Sequence, residues 1–109
     1  MTKLEILKEI VDADASESVY INSLKIIPLV SEYHSKITDI YKSKFGTLIV
    51  DWKIDSDNEF SLEIGSKDCG YFAYTKGNLT HISETGGQKT LVKDLEEWIT
   101  CYPIKANYN

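Results

Sequence analysis

The chain has 109 residues, 42% of them hydrophobic and 11% aromatic, which excludes disordered, collagen-like and disulfide-scaffold classes. One domain of this size can bury about two-thirds of its extended surface. Seventeen acids against twelve bases leave a net charge of −5, and every base is lysine. That balance has the wrong sign for neutralising phosphates and offers no guanidinium for bidentate contact, so nucleic acid is not expected as a partner.

Thr2 and Glu5 stand at capping-box spacing, and Leu4, Leu7, Ile10 and Val11 follow at helical intervals, which predicts a short amphipathic helix. Asp12-Ala13-Asp14-Ala15-Ser16 breaks it. Val19, Tyr20, Leu24 and Ile27 then keep a helical period. A strand over 18–27 is the alternative, because Val19, Tyr20 and Ile21 are strand-prone. Pro28 can open a helix but not sit inside one. From it, Leu29, Val30, Tyr33, Ile37, Ile40 and Tyr41 form one apolar stripe, and Gly46 is expected to end this helix as a left-handed cap. The N-terminal helices are thus expected within 2–45.

The period then changes from 3.6 to 2. Leu48, Val50, Trp52 and Ile54 alternate with Ile49, Asp51 and Lys53; after the turn Asp55-Ser56-Asp57-Asn58, Phe60, Leu62 and Ile64 alternate with Glu59, Ser61 and Glu63. Strands over 70–74 and 79–83 complete a four-stranded antiparallel meander at about 47–83. Gly86-Gly87 resets the chain, and Leu91, Leu95, Trp98 and Tyr102 predict a C-terminal helix over 88–102 that Pro103 stops. The expected fold is α+β in a single domain, 1–109, with the helices covering one face of the sheet. Asp51, Lys53, Ser61 and Glu63, with Ile49, would lie on the other, solvated face.

No apolar run approaches the ~20 residues a spanning helix needs, so no membrane partner is expected. The N-terminus lacks a signal peptide's apolar stretch. Cys69 and Cys101 are too few for a disulfide framework and fit no metal spacing, so reduced thiols in the cytoplasm are the natural reading. Three stretches approach known motifs and miss. Ser83 and Gln88 occupy the two positions where a phosphate loop needs glycine, although Lys89 and Thr90 fit. The 55–59 cluster begins like a calcium loop, but Phe60 and Ser66 stand where glycine and a bidentate glutamate belong, and a hairpin turn explains it better. The 70–74 aromatics resemble an RNA-stacking strand, yet Cys69 and Phe72 break that pattern. His34 and His81 are 47 residues apart in sequence, and nothing in their spacing asks for a metal or a nucleophile–base pair. No metal, cofactor or enzymatic activity is expected.

The runs Phe45-Gly46-Thr47-Leu48-Ile49-Val50-Asp51-Trp52 and Phe60-Ser61-Leu62-Glu63-Ile64-Gly65, followed by Gly70-Tyr71-Phe72, resemble a loose set of small uncharacterised bacterial proteins. The likeness covers about a quarter of the chain. Those relatives often carry Pro-Thr before the glycine, where this chain has Lys44-Phe45. The resemblance implies a bacterial or phage origin and an intact meander, and it transfers no activity.

Residues 46–85 hold seven acids against three lysines, so most of the net charge sits on the expected meander. The leading expectation is a non-enzymatic protein-binding module, of the immunity, antitoxin or phage-inhibitor kind, that neutralises a basic protein partner. Asp51, Asp55, Asp57, Glu59, Glu63 and Asp68 are its candidate contacts. The alternatives are a small-molecule pocket between helices and sheet, using Cys69, Tyr71, Tyr74 and His81, and a homodimeric structural component.

Overall fold

The capping box forms as the sequence predicts. Glu5 N–H donates to the Thr2 hydroxyl at 3.2 Å, and Thr2 N–H donates to the Glu5 carboxylate at 3.2 Å. These bonds start helix α1, Lys3–Asp12, and hold the Glu5 carboxyl below the usual carboxylate range. The computed structural model of the chain describes residues 1–53, 55–67, 69–75 and 78–85. Asp14, at φ 52°, turns the chain from α1 into α2, Glu17–Ile26. The helical reading of this segment holds against the strand alternative.

Pro28 has no N–H to continue the α-helical ladder, and from Ile27 the chain tightens into a 3₁₀ segment, Ile27–Lys36, broken at Val30 by non-helical torsions. The single helix expected after Pro28 therefore does not form. Its second half is strand β1, Ile37–Lys42. The apolar spacing that suggested a helix has a different cause. Ile37 pairs with Trp52 and Asp39 with Asp51, so Thr38 is an extra residue with no place in the ladder. This β-bulge puts Ile37 and Ile40, three residues apart, on the same buried side, and a strand acquires a helix-like period.

Gly46 is left-handed as expected, with φ 84°, but it closes a hairpin rather than a helix. Gly46 N–H donates to Ser43 O at 3.1 Å and Ser43 N–H to Thr47 O at 2.8 Å, the pattern of a tight turn completed by a glycine bulge. Strands β2, Leu48–Lys53, β3, Asn58–Ile64, β4, Cys69–Thr75, and β5, Asn78–Thr85, follow. The sheet has five strands in the order β1-β2-β3-β4-β5, each antiparallel to its neighbour, so the expected four-stranded meander gains β1 at its edge. The protein is α+β. The C-terminal helix expected at 88–102 lies outside the described residues.

Ile6 and Ile10 of α1, Val19 and Ile26 of α2, and Ile27 and Val30 of the 3₁₀ segment share one hydrophobic cluster with Ile40, Val50, Leu62 and Tyr71 from four strands. Trp52, fully buried, meets Phe60 edge-on at 5.9 Å between ring centres, and Phe60 stacks on Tyr71 at 5.0 Å. The Trp52 indole N–H donates to Tyr33 O at 3.1 Å, which ties the sheet to the 3₁₀ segment. No helix among the described residues is long and apolar enough to cross a membrane.

Candidate functional site

Period-2 alternation puts Leu48, Val50 and Trp52 of β2 into the core and turns Ile49, Asp51 and Lys53 to the opposite face. The register extends that face across the sheet. Asp39 of β1 stands opposite Asp51, which stands opposite Ser61 of β3, which stands opposite Phe72 of β4. A second row carries Tyr41, Ile49 and Glu63, and a third Lys53, Glu59 and Tyr74. Ile49 is only 9% exposed on this side, with Tyr41 and Glu63 as its cross-strand neighbours.

Asp39 and Asp51 form a like-charge pair directly across two strands, an arrangement that destabilises a sheet. Asp51 is half-buried, and its carboxylate accepts from the Ser61 hydroxyl at 2.6 Å. Burial pushes its carboxyl above the usual aspartate range, and the charges of Asp39 and Glu59 push the same way; the Ser61 and Tyr41 hydroxyls act in opposition. Among the described residues, no cation is among the groups acting on it. The Tyr41 phenol is itself raised, first by burial and then by the Asp51 and Asp39 charges, so it stays a neutral donor towards Asp51. The only lysine in these rows, Lys53, faces Glu59 rather than the aspartate pair.

The other carboxylates expected to make contacts have different surroundings. Asp55 organises its own turn: one oxygen accepts from Asp57 N–H at 2.8 Å and Asn58 N–H at 2.9 Å, and both oxygens accept from the Asn58 amide. These bonds lower its carboxyl below the usual range, and Asn58 is buried beside it. The hairpin reading of 55–59 thus describes the geometry. Among the described residues no group of His, Cys, Asp and Glu side chains is arranged to hold a metal ion. Glu63 accepts from the Thr47 hydroxyl at 2.8 Å, which buttresses the β1–β2 turn. Asp57 and Glu59 are exposed. Asp68 lies outside the described residues.

Of the four residues considered for a pocket, the three whose side chains are described do not share one face of the sheet. Tyr71 is in the core against Phe60, Cys69 packs against that core, and Tyr74 is on the opposite face. The side chain of His81 lies outside the described residues. Asp39 and Tyr41 are the residues that sequence reasoning missed, because it placed them on a helix. The hairpin signal in Ser43-Lys44-Phe45-Gly46-Thr47 was the available clue, since a tight turn before one strand calls for a partner strand on its other side.

No protein-family model, curated protein or solved structure is matched by this chain. Function rests on the residues and their geometry.

Proposed function

We propose that the protein is a small, non-enzymatic binding module that neutralises a basic protein partner in the cytoplasm, as immunity proteins, antitoxins and phage-type inhibitors do. Its contact surface is the sheet face carrying Asp39, Tyr41, Asp51 and Glu59. The reading includes the cover expected from the sequence, in which α1, α2 and a helix at 88–102 close the core face and leave the opposite face to the partner.

The observation that carries it is the Asp39–Asp51 pair. Two carboxylates directly opposite one another, with no cation among the described residues acting on Asp51, cost the free protein stability. A lysine or arginine arriving from a partner converts that repulsion into charge-assisted hydrogen bonds. Phe72 and Tyr74 on the same face add ring surfaces suited to cations. Residues that weaken a fold and complete a binding surface are the usual signature of a trade between stability and function.

The test is capture from host lysate at low and moderate salt, with the wild type beside Asp39→Asn/Asp51→Asn/Glu59→Gln. A basic protein retained near stoichiometrically by the wild type, and lost both to salt and to the triple variant, is the expected result. Equal retention by the triple variant removes this face from the function.

A further inference from the structure

Two partly exposed leucines, Leu7 and Leu24, join the core residues Ile6, Ile10 and Ile27 at a second place, away from the acidic face. Helix α1, helix α2 and the 3₁₀ segment enclose an open cleft of about 470 Å³. Its walls are Ile6, Leu7 and Ile10 from α1, with Leu24, Ile27 and Pro28 from the other two elements. Leu7 and Leu24, at its rim, are each 39% exposed. The volume is about three times that of the ~150 Å³ apolar cavity known to take up a benzene ring, and lies in the range of small-molecule sites.

The polar groups of this cleft are unevenly placed. Ser23, fully buried, returns its hydroxyl to Val19 O at 2.8 Å, so that wall offers no donor to a ligand. Lys3, Ser31 and His34 lie at the end where the chain start meets the 3₁₀ segment, an end fixed by the Met1 nitrogen donating to His34 O at 2.8 Å. Ser31 and His34 are three apart, and residues at that spacing eclipse in a 3₁₀ turn. The His34 ring is oriented by a 2.9 Å hydrogen bond between Nε2 and Ile27 O. Ile10 stands seven positions after Lys3 in α1, about 10 Å along the helix axis. In a chain of net charge −5, the lining includes a lysine and a histidine, and among the described residues no carboxylate.

We propose that this cleft binds a single-chain amphiphile with an anionic head group, its alkyl chain lying between α1 and α2 and its head at Lys3 and Ser31. The site is independent of the acidic face. Titration calorimetry of the whole protein with octanoate, nonanoate and decanoate, below their micelle concentrations, tests it against decyltrimethylammonium and octyl glucoside. Decanoate binds one to one, and each added methylene tightens binding by about fourfold. The cationic amphiphile binds more weakly than decanoate. Lys3→Glu weakens decanoate by about fivefold and leaves octyl glucoside unchanged. Methyl shifts on decanoate addition fall on Ile6, Leu7, Ile10, Leu24 and Ile27. Leu7→Glu/Leu24→Glu, two changes at partly exposed positions, abolishes binding while the far-ultraviolet spectrum stays that of the wild type. No binding at millimolar decanoate overturns the proposal, as does indifference to head-group charge. So does a sedimenting dimer that Leu7→Glu dissociates, because a second copy is then the occupant.

Discussion

At the scale of single residues, Asp51 and Asp55 are two aspartates of one hairpin with opposite electrostatic fates. Asp55 receives backbone and side-chain N–H groups and ionises more readily than usual; Asp51 is half-buried among like charges and ionises less readily. Their contributions to stability therefore run in opposite directions with pH. A raised folded-state value means that the folded state favours protonated Asp51, so this contribution is complete below the ordinary value of 3.8 and is lost as pH rises through the folded one. Asp51→Asn, which can still accept from Ser61, should match the wild type in acid. At neutral pH it should be more stable by about 0.5 kcal/mol, a figure discounted for solvent screening of a half-exposed group. For Asp55 the sign reverses: its contribution is complete above 3.8 and is lost as pH falls through its lowered folded value. Asp55→Ala should cost about 1 kcal/mol at neutral pH by leaving turn N–H groups without their acceptor, and the deficit should shrink in acid. Urea unfolding of both variants at several pH values checks the two signs together.

At the scale of elements, β1 shows what sequence periodicity can and cannot convey. The alternation of β2 and β3 was legible because a buried residue recurs at every second position, from Leu48 to Trp52 and from Asn58 to Ile64. The α1 cap was legible because a capping box is local chemistry. β1 was not legible, because the bulge at Thr38 lengthens the apolar repeat to three, and a repeat of three after a proline reads as helix. Asp39 was lost with it, and so was its pairing with Asp51, which depends on register across the turn and not on neighbours in sequence. The left-handed glycine was anticipated at the right residue for the wrong element, since a helix cap and a hairpin bulge ask for the same torsion. That common demand can be measured. A Cβ at Gly46 would meet nothing within 4 Å, so only backbone strain opposes substitution there. Gly46→Ala should cost about 1–2 kcal/mol, and Gly46→Asn distinctly less, because asparagine tolerates the left-handed region. Equal costs in urea unfolding would mean that the turn has rearranged.

At the scale of the whole molecule, the acidic charge and the apolar cleft belong to different parts of the fold. The strands carry the carboxylate rows on the face turned away from the core; the N-terminal helices and the 3₁₀ segment form the cleft. Net charge alone does not distinguish a binding surface from one that merely keeps a protein soluble, because both slow nothing and specify nothing by themselves. The distinction lies in kinetics. A concentrated acidic face steers a basic partner from a distance, and steering fades as the screening length falls from about 30 Å at 0.01 M salt to about 8 Å at 0.15 M. The association rate of the captured partner should drop by about tenfold or more over that range for the wild type. For Asp39→Asn/Asp51→Asn/Glu59→Gln, the same salt change should have a much smaller effect, with the two proteins converging at high salt. If the variant instead kept the full salt dependence, the steering charge would lie elsewhere on the chain, and the exposed Asp57 with the remaining turn acids would be the next group to neutralise.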